Sequence, residues 1–317
     1  MLLFLLFTFL PASNGISFDD PQLIIKREAN LSQSGNGLES PIDISLTPSG
    51  FAYVLDARLR LIHKYSLEGK KILSFGGKGE GPGEFLKPCA LISVGSDIWV
   101  LDRDLARVTI FKKDKYYRSF KVIGIFSPES MVLRGDSVFI FGTSIFKKAQ
   151  YHIYNTAGEL LKRRAWPTDF TLKNGPQSGI WNSIEVEPLV DKGFLVGYTF
   201  YNAVGMIDDS GNAVRMKNME DYYDRYEGKG VEKGFPDGFS ASAFAQGPDG
   251  TVFVATCSQK EHTCGELFQL TQDLGGIVSK NTFGGSVRKI RYFPHFNFLI
   301  VIVGGSNEVL FYIYPES

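Results

Sequence analysis

The chain of 317 residues is short of the features that most often reveal an activity. It has three cysteines, so it is no disulfide-stapled scaffold, and at least one thiol cannot pair within the chain. It has four histidines, His63, His152, His262 and His295, and two of these fall inside alternating strand-like runs, which leaves too few for a three-histidine zinc site. Lys plus Arg and Asp plus Glu both number 34, so the basic excess of a nucleic-acid binder is missing, and the charges are not blocked into tails. There is no Gly-x-Ser-x-Gly elbow. The one long apolar run, residues 1–10, is too short to span a bilayer.

That run is followed by Pro11-Ala12-Ser13-Asn14-Gly15, small residues of the kind a signal peptidase accepts. We read residues 1–15 as a secretory signal peptide, although no Lys or Arg precedes the apolar stretch, and expect an exported, periplasmic or extracellular protein. Residues 16–317 are read as one domain, and a monomer is expected. Hydrophobic residues make up 44% of the chain, with 26 Phe, 14 Tyr and 34 Gly. That mixture suits twisted strands joined by tight turns.

What is present is a repeat. Val54-Leu55-Asp56-Ala57-Arg58 recurs as Val100-Leu101-Asp102-Arg103-Asp104, with the two aspartates 46 residues apart. Each copy follows an apolar run and precedes an alternating strand, Leu61–Tyr65 in one and Val108–Lys112 in the other. A period of this length built from short strands is the mark of propeller blades. The strand rhythm continues in units that begin near Pro128, Ser183, Ser240 and Val287, with turns such as Thr156-Ala157-Gly158-Glu159, Asp209-Ser210-Gly211-Asn212 and Gly247-Pro248-Asp249-Gly250. Gly142-Thr143 replaces the aspartate in the third unit. The sixth unit has only three strands before the chain stops. Gln22-Leu23-Ile24-Ile25-Lys26-Arg27 has no partner in the first unit, and as the outer strand of the last blade it would close the ring and remove an open edge. The fold expected is all-β: a six-bladed propeller of four-stranded antiparallel blades, closed by an N-terminal strand.

The stretch Ser49-Gly50-Phe51-Ala52-Tyr53-Val54-Leu55-Asp56, then Ile62–Tyr65, then Gly69–Gly76, resembles an NHL repeat, and the likeness continues through Gly79-Glu80-Gly81-Pro82-Gly83-Glu84-Phe85. It covers about residues 40–125. The chain is similar to the exported bacterial six-bladed propellers related to NHL proteins. That resemblance implies either a binding propeller or, as in relatives that resemble gluconolactonases, a calcium held by carboxylates at the channel; other relatives resemble peptide-amidating lyases with histidine-bound zinc. The glycine-rich stretch 76–85 lacks the Gly-Lys-Ser/Thr and helix of a phosphate-binding loop, and reads as a crossover between blades.

Propellers bind ligands at a channel mouth, and the polar residues nearest the inner-strand starts are Glu39, Asp43, Glu129, Glu185, Glu187, Arg288 and Lys289. Carboxylates so placed suit calcium, or else are solvated strand ends and ion pairs. Two stretches exceed the blade rhythm, and carry Trp181 in one and Tyr222, Tyr223 and Tyr226 in the other. These are amphipathic contact residues for a protein, peptide or glycan, or tyrosines packed onto the ring. Cys257 and Cys264 flank a six-residue loop; a disulfide, a metal pair with His262 and two separate thiols all fit this spacing. Cys89 reads as a buried free thiol. The expected function is a non-catalytic binding or scaffold propeller with no metal or other cofactor; the second reading is a calcium-type hydrolase or lyase.

Overall fold

The computed structural model describes residues 24–25, 37–125, 127–144, 147–165, 184–198, 203–210, 212–218, 239–258, 264–283, 285–305 and 307–313. Residues 1–15 lie outside this set. An isolated short strand, β1 (Ile24–Ile25), precedes five complete blades and a last one. Blade 1 comprises β2 (Pro41–Leu46), β3 (Phe51–Asp56), β4 (Leu61–Ser66) and β5 (Lys71–Gly76); blade 2 comprises β6 (Pro88–Val94), β7 (Asp97–Asp102), β8 (Arg107–Lys112) and β9 (Lys115–Lys121). Blade 3 is β10 (Ser127–Arg134), β11 (Ser137–Ser144), β12 (Lys147–Asn155) and β13 (Leu160–Ala165), and blade 4 is β14 (Ile184–Pro188), β15 (Phe194–Tyr198), β16 (Ala203–Ile207) and β17 (Ala213–Asn218). Blade 5 is β18 (Phe239–Gln246), β19 (Val252–Ser258), β20 (Cys264–Leu270) and β21 (Ile277–Thr282), and blade 6 is β22 (Val287–Phe293), β23 (Phe298–Val303) and β24 (Glu308–Ile313).

The result is six antiparallel four-stranded sheets, as the repeat predicts, and β1 is the fourth strand of blade 6. Ile24 pairs with Ile313 and Ile25 with Tyr312, so the ring is closed by the N-terminal segment. The second strand of each blade is buried on both faces, and its sequence is correspondingly an unbroken apolar run: β3 and β7 are buried at every position but the first. The outer strand alternates instead, as in β5. The core lies between blades. Leu38, Ile44 and Val54 of blade 1 pack with Ile300 and Ile302 of blade 6, and Tyr53 and Leu55 pack with Leu91, Val100 and Phe111 of blade 2.

The repeated aspartates are the local reason for the blade geometry. Asp56 is fully buried. One carboxylate oxygen accepts the amides of Glu39 and Ser40 (2.6 and 3.0 Å) and the other those of Arg58 and Leu59 (both 3.0 Å). Asp102 repeats the arrangement with Leu86 and Lys87 on one oxygen and Leu105 on the other. Each ties the incoming inner strand to the turn after the second strand, and amide donors offset the cost of burying the charge. In blade 3 the corresponding residue is Gly142, where a Cβ would run into Ser127 and Ile125; close backbone approach replaces the carboxylate tie. The glycine-rich crossover is held by Arg107, which donates to the carbonyls of Glu80, Gly81 and Glu84. The Glu84 carboxylate accepts the Gly81 amide and fills the hollow of the loop, so the chain's own anion stands where a phosphate would have to bind.

Bulges recur at two places. Inner strands carry an extra residue at Ile42, Cys89, Glu129, Ser242 and Arg288. Outer strands carry one at Ile72, Tyr117, Leu161, Val214 and Val278, and all five of these apolar side chains are exposed. Because β1 supplies the missing edge of blade 6, removing residues 21–28 is expected to lower the melting temperature by about 5 °C or more. An unchanged melting curve for the truncated protein would contradict closure by this strand.

Candidate functional site: a charged floor beneath a channel cavity

Register aligns the inner strands. Asp43, Glu185 and Lys289 occupy one level of the channel, and Ser45, Glu187 and Arg291 the next, two residues on along blades 1, 4 and 6. The corresponding residues of blades 2, 3 and 5 are uncharged: Ala90, Ser130 and Ala243 on the first level, Ile92, Val132 and Ala245 on the second. Five charged side chains therefore meet across the axis. Lys289 Nζ lies 2.6 Å from Glu187 and 3.3 Å from Glu185. Arg291 Nε lies 3.2 Å from Glu187, and its Nη1 lies 3.1 Å from Asp43. The same Nη1 donates to the carbonyls of Ile44 (2.9 Å) and Leu91 (2.7 Å), while Asp43 accepts the Leu91 amide at 2.7 Å. One guanidinium thus touches blades 1, 2 and 4 from blade 6.

Asp43, Glu187, Lys289 and Arg291 are all buried. Burial raises the pKa of Asp43 and of Glu185 above the usual carboxylate range, against the opposing pull of Arg291 and Lys289 on Asp43 and of Lys289 on Glu185. Burial alone would lower Lys289, but Glu185, Glu187 and Asp43 outweigh it and its pKa rises. Arg291 shifts upward for the same reason, with Asp43 and Glu187 overcoming burial. With every group ionised the cluster carries three negative and two positive charges. The upward shifts of Asp43 and Glu185 are the direction that moves it toward neutrality.

Above this floor is a cavity of about 680 Å³ to which all six blades contribute. Ile92, Met131, Val132 and Leu133 form apolar wall, and Glu187 and Arg291 form the base. Ser45 and Ser93 also line it, but their hydroxyls bond to each other at 3.0 Å and Ser93 donates to Leu46. At the rim Arg134 pairs with Asp209 at 2.7 Å and donates to the carbonyls of Leu189 and Asp191, locking blade 3 to blade 4.

The cavity opens at the ends of the inner strands, whereas the sequence reading looked to their starts. At the starts side the long Lys289, Arg291 and Glu185 chains meet across the channel, and the cavity lies beyond them. Of the residues singled out from sequence, Asp43, Glu185, Glu187 and Lys289 come together. Glu39 does not; it makes an exposed ion pair with Arg58 at 3.0 Å. Glu129 sits half-buried at the bulge of β10, close enough to Cys89 to act on its thiol. Arg288 sits at the bulge of β22 and reaches Ser40 at 2.8 Å, joining blade 6 to blade 1. Arg291 was missed, although it stands two residues beyond Lys289 on an alternating strand and so shares its side. Trp181, Tyr222, Tyr223 and Tyr226 lie outside the described residues. Cys257 and Cys264 are directly opposite in the β19–β20 register. Cys89 is free and half-buried, its sulfur 3.5 Å from the carbonyls of Leu101 and Pro128, and burial pushes its pKa up to about 12. Among the described residues no group of three or more His, Cys, Asp and Glu is arranged to hold a metal ion, and no helix is long and apolar enough to cross a membrane.

These features define a six-bladed β-propeller with a charged channel floor and a cavity at one mouth. No family model and no curated protein matches the sequence. Solved structures do match the fold. The WD40 repeats of RRP9 align at 15% identity over 92% of this chain and 100% of that one, with a TM-score of 0.62. Hydrazine synthase of Kuenenia stuttgartiensis aligns at 14% identity over 87% and 83%, with a TM-score of 0.56. Virginiamycin B lyase from Staphylococcus aureus aligns at 13% identity over 89% and 87%, with a TM-score of 0.53. At such identities the likeness is one of fold alone.

His63 and His152 belong to the blades rather than the channel. His63, Thr109 and His152 hold the same place in the third strands of blades 1–3, and all are buried. Both ring nitrogens of His152 lack a hydrogen-bond partner; His63 meets Ser74 at 2.7 Å through Nδ1 only. Burial, then the nearby Arg163 for His152 and Lys71 for His63, lowers each pKa to about 4. A depressed histidine pKa contributes stability that is whole above about pH 6.5 and is lost as pH falls toward 4, on the order of 3 kcal/mol per residue. Urea denaturation across that window should show His152→Leu losing less stability on acidification than the wild type. Equal losses would place the acid sensitivity elsewhere.

Proposed function

We propose that the protein is a non-catalytic binding propeller of the NHL-related kind, whose channel mouth receives a compact, uncharged part of a protein, peptide or glycan partner. The observation that carries this reading is the prior commitment of the floor. The three floor carboxylates, Asp43, Glu185 and Glu187, are already held by Lys289 or Arg291, Asp209 at the rim is held by Arg134, and the two lining serines are bonded to each other and to the backbone. A floor of this kind has no free base or nucleophile to offer, whereas apolar walls over a fixed pattern of charge suit recognition of shape. Among the described residues the cavity lining also contains no histidine. A structure of virginiamycin B lyase, in contrast, is of a variant inactivated by replacing a histidine with alanine.

Asp43, Glu185 and Glu187 converge, and this favours one second reading, a calcium-type hydrolase or lyase. For that chemistry Lys289 and Arg291 would have to release carboxylates that they contact at 2.6–3.3 Å. Export, expected from residues 1–15, belongs to the same proposal, as does a Cys257–Cys264 disulfide, which the opposed register allows. The long stretches bearing Trp181 and Tyr222, Tyr223 and Tyr226 supply further contact surface in this proposal.

Melting curves with calcium, zinc and chelator, together with peptide and glycan arrays probed with wild type and Val132→Trp, test the reading. We expect melting to ignore metal and chelator, and array binding to disappear when tryptophan fills the cavity. Saturable stabilisation by calcium, with metal-dependent turnover of a lactone, would instead establish the enzyme.

A further inference from the structure

The outer strands show a charge bias that the chain as a whole does not. The sequence balances 34 basic against 34 acidic residues, yet none of the six outer strands, β1, β5, β9, β13, β17 and β21, contains an Asp or Glu. Their Lys and Arg concentrate on blades 2 and 3, as Lys115, Arg118 and Lys121 in β9 and Lys162, Arg163 and Arg164 in β13. Five of these six are exposed and Arg118 is half-buried. None forms an ion pair among the described residues. The two strands belong to one surface, because Phe120 packs on Tyr154 at 5.0 Å and Arg118 and Phe120 lie against Gly158 of the neighbouring hairpin.

Apolar groups stand among the charges. Tyr116, Tyr117, Leu160 and Leu161 are 40%, 54%, 39% and 56% exposed, and Lys112 sits 4.4 Å over the Tyr117 ring. Lysine on an edge strand ordinarily discourages unwanted pairing. That purpose is served by either sign of charge, and it is opposed by exposed tyrosine and leucine. Among the described residues both strands also end their sheets, so their outward amides and carbonyls have no strand partner there.

The geometry points to a second interaction surface, distinct from the channel: the free edges of β13 and β9 take up an acidic, extended segment of a partner protein, which adds as a fifth strand to blade 3. Strand addition uses the open edge for main-chain hydrogen bonds, and alternate side chains for specificity. Carboxylates at alternate positions would meet Lys162 and Arg164, with apolar positions against Leu160 and Tyr117. A flat anionic lipid surface fits less well. Exposed Asp136 and Glu159 stand in the two turns at one end of blade 3, where a plane would meet both, whereas a strand along β13 passes only the end at Glu159.

Fluorescence anisotropy with a labelled peptide of alternating Glu and Val tests this. We expect saturable binding that falls by about tenfold or more in Lys162→Glu/Arg164→Glu, and falls also in Tyr117→Ser, with melting temperatures unchanged. Methylating the peptide's amide nitrogens along one edge should abolish binding, and Val132→Trp should leave it intact, which separates this surface from the channel cavity. The inference is overturned if the peptide does not bind, if charge reversal or N-methylation has no effect, or if vesicles containing phosphatidylserine bind where the peptide does not.

Discussion

The contact on which this propeller turns is the buried cross-channel cluster of Lys289 and Arg291 with Asp43, Glu185 and Glu187. Blades pack against their neighbours through apolar layers, and such layers know nothing of the opposite side of the ring. The cluster is different. It links blade 6 to blades 1 and 4, and through Arg291 to the Leu91 carbonyl of blade 2. A buried ion pair is a weak source of net stability, since desolvation offsets much of the attraction. Its stronger effect is on specification: charges of opposite sign buried at matching levels are satisfied only when the inner strands stand in one register around the axis.

The proposed function rests on that constraint. In that reading the floor charges are engaged in holding the channel, and a walled cavity with a fixed floor is left open. Two properties of the periphery then become intelligible as separate from it. The rim is locked by Arg134 and Asp209 between blades 3 and 4, while the outer edges of blades 2 and 3 carry exposed basic and aromatic groups, among them Lys115, Tyr117, Lys162 and Arg164.

Much of this was legible in the residues. The Val-Leu-Asp repeat located the blades because Asp56 and Asp102 perform the same local task of capturing amides on both sides of a turn. Ile24 and Ile25 were placed by counting strands, since a ring short of one strand must find it elsewhere. Asp43, Glu185, Glu187 and Lys289 were visible as polar residues at strand starts. Arg291 was hidden by Tyr292 and Phe293, which make its surroundings read as core. Glu129 and Arg288 misled because each occupies the extra position of a bulge, one residue before the level that carries Asp43, Glu185 and Lys289. The cavity was not legible at all. It depends on side-chain volumes from six strands spread over the whole chain, and no local pattern reports their sum.

The most direct test is a double-mutant cycle between Lys289 and Glu187, the shortest pair at 2.6 Å, using Lys289→Met and Glu187→Gln with urea denaturation. The account predicts that the single substitutions are each costly and that the pair is coupled by about 2 kcal/mol, because each change strands a buried partner that the other removes. Additive effects, with coupling below about 0.5 kcal/mol, would mean that these charges do not constrain one another and that the channel floor is not what holds the ring in register.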